Sequence, residues 1–375
     1  LVGALLDEGT KTRTDQQIAT AIENVGGNLK VGASGGSVQV LAPDRPLGLN
    51  LLLDCLSRPS FPADALERKR AQTLSELLDE EQQANVRGRR LLAELIYGKE
   101  HPLSRPSLGL RPIVEKLTAD DCRTFHAARF VPNNTLIAVV GDFDANGVVS
   151  EITRLTNDWK PAAPPKPQLP PLNPLPSFTQ KIISMPESAQ LYVFLGHAGI
   201  LRLDPDYYKL LVMDYVLGTG TGFTDRLSST LRDRQGLAYS VSANITGSAS
   251  EVVGTFTGSI GTFPDKFSAV KDGFLKEINR IRDEPPTAEE VADAKTYLLG
   301  SLPFHYTSYG LIAEQLLQIE RFGLGFDYLD QFRKQVSAVT PADVQSVAGK
   351  HLQPAHMALV AAGPVTSDGK PLPKK

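Results

Sequence analysis

Apolar positions recur along this chain with two periods, and each change of period marks a change of element. Thr14-Asp-Gln-Gln17 reads as a capping box opening a helix whose apolar face is Ile18, Ile22 and Val25, and Gly26-Gly27 stops it. Ser37-Val-Gln-Val-Leu41 then alternates every second residue and predicts a strand. Leu47, Leu51, Leu52, Cys55 and Leu56 return to helical spacing, and residues 65–95 form a long, charged helical region. A short helix from Thr118 and a strand over 135–140, Thr-Leu-Ile-Ala-Val-Val, close the first half. In the second half a strand leads into a helix over 207–217, a helix starts at Thr224-Asp-Arg-Leu227, and an alternating strand runs over 237–241. Helices segregated from mostly antiparallel strands predict the α+β class.

A proline-rich run over 160–177 divides the chain near its middle. Such a run is stiff, extended and unable to join a sheet interior, so it reads as a linker. The two sides are copies. Thr118, Asp121, Pro132 and Gly141 recur as Thr340, Asp343, Pro354 and Gly363, while Gly9, Thr10 and Gly27 recur as Gly218, Thr219 and Gly236. A duplicated domain is the economical reading: a first repeat over 1–159, the linker over 160–177, a second repeat over 178–368, and a basic tail over 369–375. The same comparison leads one to expect a segment of roughly thirty residues ahead of Leu1, where a signal peptide would lie.

Composition narrows the field further. The 39 basic and 42 acidic residues give a net charge of −3, so there is no basic footprint for nucleic acid. A 41% hydrophobic content suits an ordinary folded core, and no apolar run reaches the ~18 residues of a membrane span. Cys55 and Cys122 stand at apolar helical positions as buried thiols and do not reveal the redox compartment.

Candidate chemistry is sparse. His101, His126, His197, His305, His351 and His356 contain no pair at the spacing of H-x-x-E-H or its inverted form, and His351 and His356 straddle Pro354. Gly32-Ala-Ser-Gly-Gly36 matches G-x-S-x-G, but a strand continues after it where a nucleophile elbow needs a helix. Gly218-Thr-Gly-Thr-Gly222 resembles a phosphate loop, yet it follows a helix rather than a strand.

More informative is Leu231-Arg-Asp-Arg-Gln-Gly-Leu-Ala-Tyr239. Gly236 fits a helix C-terminus, which puts Arg232 in the last helical turn and Tyr239 on the strand beside it. Both side chains are donors that can reach a peptide carbonyl. From spacing alone a structural alternative stays open, with Arg232 offsetting the helix dipole and Tyr239 half-burying its ring.

An arginine followed by Gly-Leu-Ala-Tyr entering a strand resembles the substrate-holding pair of the pitrilysin and mitochondrial-processing-peptidase family, the inverted H-x-x-E-H zinc peptidases. The resemblance spans essentially the whole chain. It implies two homologous α/β-sandwich repeats of the LuxS and processing-peptidase type closing on a peptide. In catalytic members the zinc motif runs into a Gly-Thr that matches Gly9-Thr10, with a histidine five residues before that glycine and the glutamate base six before. Here those places hold Ala4 and Gly3, and Glu76 stands at a further ligand position as a possible relic.

The resemblance therefore implies a bacterial non-zinc subunit that binds peptide through Arg232 and Tyr239. A homologous partner in a heterodimer would supply zinc and the general base, and this chain would have no catalytic metal site of its own. A periplasmic location is expected, the cytoplasm being the alternative. The rival class is an inert scaffolding homologue like the core subunits of respiratory complexes, which has no need of the pair.

Overall fold

The computed structural model describes every residue except Pro167, Thr221, Gly222, Phe223, Lys374 and Lys375. The end of the glycine run, one linker proline and the last two residues of the tail thus lie outside the described residues. Two compact units are present, one of Leu1–Asp79, Pro106–Gln168 and Tyr306–Leu317, the other of Glu80–Arg105, Leu169–His305 and Gln318–Lys375. The second unit draws on residues from both sides of the proline-rich run.

In the first unit, Thr14 accepts the Gln17 amide and Gln17 returns the bond, opening α1 (Asp15–Glu23) as the capping box predicts. The strand over 37–41 appears as β2 (Gly35–Gln39), paired antiparallel with β1 (Asn28–Gly32), which the sequence reading did not foresee. Residues 32–36, the G-x-S-x-G match, form the end of one strand, the turn and the start of the next. Helix α2 (Arg45–Ser57) follows, and the long helical region is two helices, α3 (Ala63–Gln82) and α4 (Ala84–Tyr97), because Gln83 takes an extended conformation at φ −92°, ψ 112°; α4 belongs to the second unit. Beyond the one-turn α5 (Arg111–Val114), α6 (Ala119–Arg129) opens on the Thr118/Asp121 capping box, and α7 (Ala145–Thr156) on Asp144. Leu5, Leu6, Leu56, Phe61, Leu66 and Cys122 form this unit's core. Both thiols are buried and free, and burial pushes that of Cys55 up to about 12.

The strand expected over 135–140 is not formed. These residues have no ladder partner among the described residues, and Leu136 and Ile137 are exposed. Their counterpart in the second repeat, the strand β7 (Ala358–Gly363), is held on both sides by neighbours. Gly141 and Gly363 share the same backbone bend, at φ +151° and +155°. A Cβ on Gly363 would lie 2.6 Å from the Gln190 carbonyl, whereas one on Gly141 would meet nothing within 4 Å. A strand's hydrogen bonds are supplied by its neighbours, so an alternating or apolar run without one stays irregular.

The second unit is built on one five-stranded sheet in the order β3-β7-β4-β6-β5: β3 (Thr179–Ser184), β4 (Leu191–Ala198), β5 (Ala238–Asn244), β6 (Thr255–Thr262) and β7 (Ala358–Gly363). β3 and β7 are parallel and the other pairs antiparallel. Adjacent residues of a strand face opposite ways. Phe194 packs with Leu92 and Ile96 of α4. Its neighbour Leu195 faces Phe274 of α9 (Phe267–Asp283), with Gly258 leaving room between them. Covered on both faces, β7 is buried at every residue and reads as a continuous apolar run. α8 (Tyr207–Asp214), α10 (Ala288–Ser301), α12 (Tyr328–Ala338) and α13 (Pro341–His351) complete this unit, and α11 (Tyr309–Phe322) ends in it. The α13 capping box, Thr340/Asp343, repeats that of Thr118/Asp121, as the duplication requires.

Candidate functional site

The segment that carries Arg232 and Tyr239 is anchored at both ends. Helix α8 ends in a wide π turn (Tyr215–Thr219), and after the undescribed residues the chain re-enters a helix at Arg226, capped by Asp225, which accepts the Ser228 amide and hydroxyl at 2.8 Å each. Burial pushes the Asp225 carboxyl up, against those bonds. Arg226, 5% exposed, gives two bonds to Glu290 of α10, Nε to Oε1 at 2.6 Å and Nη2 to Oε2 at 2.9 Å. From there a π-helical stretch (Ser228–Arg234) places Arg232 in its last turn.

Gly236 ends that helix as expected. At φ +59° its amide donates to the Arg232 carbonyl at 2.9 Å, and the Leu237 amide reaches back to Leu231. Strand β5 then begins, and its register with β6 shifts between Ala238 and Val241. The bulge exposes two successive residues, Tyr239 and Ser240, before the alternation resumes with Val241 and Ala243 buried. Tyr239 is 87% exposed, so its ring fills no core and the half-buried alternative is set aside. The Arg232 guanidinium carbon lies 5.6 Å from the centre of the Tyr239 ring. A solvent-facing phenol thus stands beside an arginine whose side chain is 22% exposed.

The residues do not fit a catalytic zinc in this chain. Gly3 sits in a short 3-10 turn (Gly3–Leu5) where an added Cβ would fall 2.3 Å from the Ala33 amide nitrogen, so a ligand-bearing side chain there would force the backbone to shift. Ala4 is exposed and offers only a methyl group. Glu76 lies on α3, accepting a bond from Gln72 one turn away at 2.8 Å. Most histidines have structural work. His101 caps a turn and stacks on Tyr97, His126 bonds the Leu56 carbonyl, His197 stacks on Phe256, and His356 bonds the Leu175 carbonyl. Among the described residues Asp204, Asp206 and His351 lie close enough to share a cation, but the Lys350 ammonium already occupies Asp206 at 2.6 Å.

Comparison with known proteins identifies the family. The description "Insulinase (Peptidase family M16)" matches residues 1–108, and "Peptidase M16 inactive domain" matches residues 116–298. The chain belongs to peptidase family M16. An uncharacterized zinc protease of Streptomyces coelicolor is 27% identical over 92% of this chain and 76% of its own length. A protein of Helicobacter pylori named as a non-peptidase homolog is 24% identical over 94% of this chain and 81% of its own. The crystal structure of a peptidase M16 inactive domain from Pseudomonas fluorescens, 28% identical, superposes with a TM-score of 0.89 over 99% of this chain and 89% of that one. The M16 fold and the α+β class read from the sequence are thereby borne out.

Two parts of this candidate site carried no sequence signal. The Arg226–Glu290 pair joins residues 64 apart in the chain. Asp214, fully buried, accepts the Ile245 and Thr246 amides at 2.9 Å each and the Thr246 hydroxyl at 2.6 Å, tying α8 to the end of β5. Burial pushes its carboxyl up to about 7, against those three donors.

Proposed function

We propose that this chain is the substrate-holding subunit of a two-chain M16 peptidase, in which a homologous partner supplies the zinc and the general base. The observation that carries the reading is the exposed Tyr239 with the Arg232 guanidinium beside it, on a turn anchored by the Arg226–Glu290 pair and ended by Gly236. An arginine needed only against a helix dipole would not require a solvent-facing phenol next to it.

The partner's metal would polarise the scissile carbonyl and activate water. The work of this chain is positioning. The Tyr239 hydroxyl and the Arg232 fork donate to carbonyl oxygens of an extended peptide, which fixes its register and favours charge developing on oxygen. Neither side chain needs to gain or lose a proton for this.

Mixing this protein with a purified zinc-bearing M16 homologue from the same source and assaying an unstructured peptide tests the proposal. Hydrolysis that requires both chains supports it; a zinc chain equally active alone removes it. That second outcome belongs to the scaffold reading, which is favoured by the non-peptidase name of the Helicobacter pylori relative.

A further inference from the structure

A cleft of about 600 Å³ opens in the second unit, between Tyr207 and Tyr215 on one wall, the polar loop 244–250 on another, and Arg321 with Phe322 of α11 on the third. Its size suits one or two residues of a peptide. What distinguishes it is its charge. Arg321 is neutralised by Glu251 through two bonds, at 3.0 and 3.1 Å. Asp214 is sunk below the floor with its oxygens taken by Ile245 and Thr246. Arg202 is different: its guanidinium carbon lies 3.9 Å from the centre of the Tyr207 ring, one nitrogen reaches the Tyr328 hydroxyl at 3.4 Å, and among the described residues no carboxylate pairs with it.

A half-buried guanidinium stacked on a ring keeps its edge for a planar acceptor, and the acceptor that matches its fork is a carboxylate. The Thr219 hydroxyl also lines the cleft, buried and without a hydrogen-bond partner among the described residues. Strand β5 leads from the Tyr239 turn to this place, because Asn244, its last residue, lines the cleft. Five residues of strand cover ~17 Å. An extended peptide of about six residues spans the same distance.

We propose that this cleft binds a peptide carboxylate through Arg202 while the backbone upstream is held at Arg232 and Tyr239. The inference rests on the peptide-holding reading. The carboxylate has two possible sources, the peptide's own C-terminus or an acidic side chain, and the experiment separates them.

Fluorescence anisotropy would follow a dye-labelled decapeptide without acidic residues in three forms: free C-terminus, amidated C-terminus, and amidated with one aspartate near the end. Amidation is expected to weaken binding to the native protein at least tenfold. Recovery with the aspartate form assigns the site to acidic side chains, and its absence assigns it to C-termini. Arg202→Gln should bind all three forms equally weakly, with Arg202→Lys intermediate, whereas Arg232→Ala should weaken all three by one common factor. Equal affinity of the three forms for the native protein, or discrimination that survives Arg202→Gln, overturns the proposal. Should no peptide bind the native protein, the peptide-holding reading falls, and the cleft is judged by the arginine side-chain NMR signals with N-acetylglycine against its amide. A shift of the Arg202 resonance with the acid alone upholds the site, and no shift ends it.

Discussion

Arg226 Nε donates to Glu290 Oε1 at 2.6 Å, fastening the turn that carries Arg232 to helix α10 with an ion pair whose arginine is almost wholly buried. Removing one partner of such a pair leaves the other charge without compensation.

Glu290→Ala should therefore destabilise the fold by about 3 kcal/mol, at the lower end for a buried pair because Glu290 keeps some contact with water. The pH dependence follows. Burial raises the Glu290 carboxyl, but the Arg226 and Thr287 bonds outweigh it and hold the group below its ordinary 4.5. A depressed folded value contributes stability that is present above the unfolded value and lost as pH falls through the folded one. Chemical denaturation from pH 6 down to pH 3 should show a loss in the native protein that is smaller in Glu290→Ala.

Asp214 should act in the opposite sense. Its folded value of about 7 lies above the ordinary 3.8, so the folded state holds a proton that the unfolded chain has released between these limits. Stability then falls as pH rises from about 4 to about 7, by up to about 1.4 kcal/mol per pH unit, and levels off above. Denaturation midpoints across that range should show this fall in the native protein and a flatter curve in Asp214→Asn. The carboxyl carbon of Asp214, followed by NMR, should titrate near pH 7.

Restoring the missing zinc residues should fail at position 3. With the Ala33 amide 2.3 Å from any added Cβ, Gly3→Glu costs on the order of 1–3 kcal/mol through overpacking. Gly3→Glu with Ala4→His should melt lower than the native protein, and mass-spectrometric metal analysis should find no stoichiometric zinc in either. One tightly held zinc per chain in the native protein would contradict the reading of the site.

How much of this was legible in the sequence follows from the range of the forces involved. The caps at Thr14, Thr118 and Thr340 involve residues three apart, so their side chains announce them. Gly236 likewise marks its turn because few other residues accept φ +59°. The break at Gln83 is hidden, since strong helix formers run through it. Residues 135–140 carry a strand pattern, but pairing belongs to neighbours that the pattern cannot supply. At the site the Arg232/Tyr239 spacing was readable, while the bulge that exposes Tyr239, the Glu290 anchor and the buried Asp214 depend on residues distant in the chain.

The most direct measurement is steady-state kinetics of the assembled two-chain enzyme carrying Arg232→Ala or Tyr239→Phe, with a thermal melt of each variant. If the pair holds the substrate in the transition state, kcat/KM should fall on the order of 10²-fold or more while assembly, partner zinc and melting temperature stay unchanged. If Arg232 serves only the helix dipole, the loss is about 0.3–1 kcal/mol of stability. Unchanged turnover with a lowered melting temperature would contradict the account and leave the scaffold reading in its place.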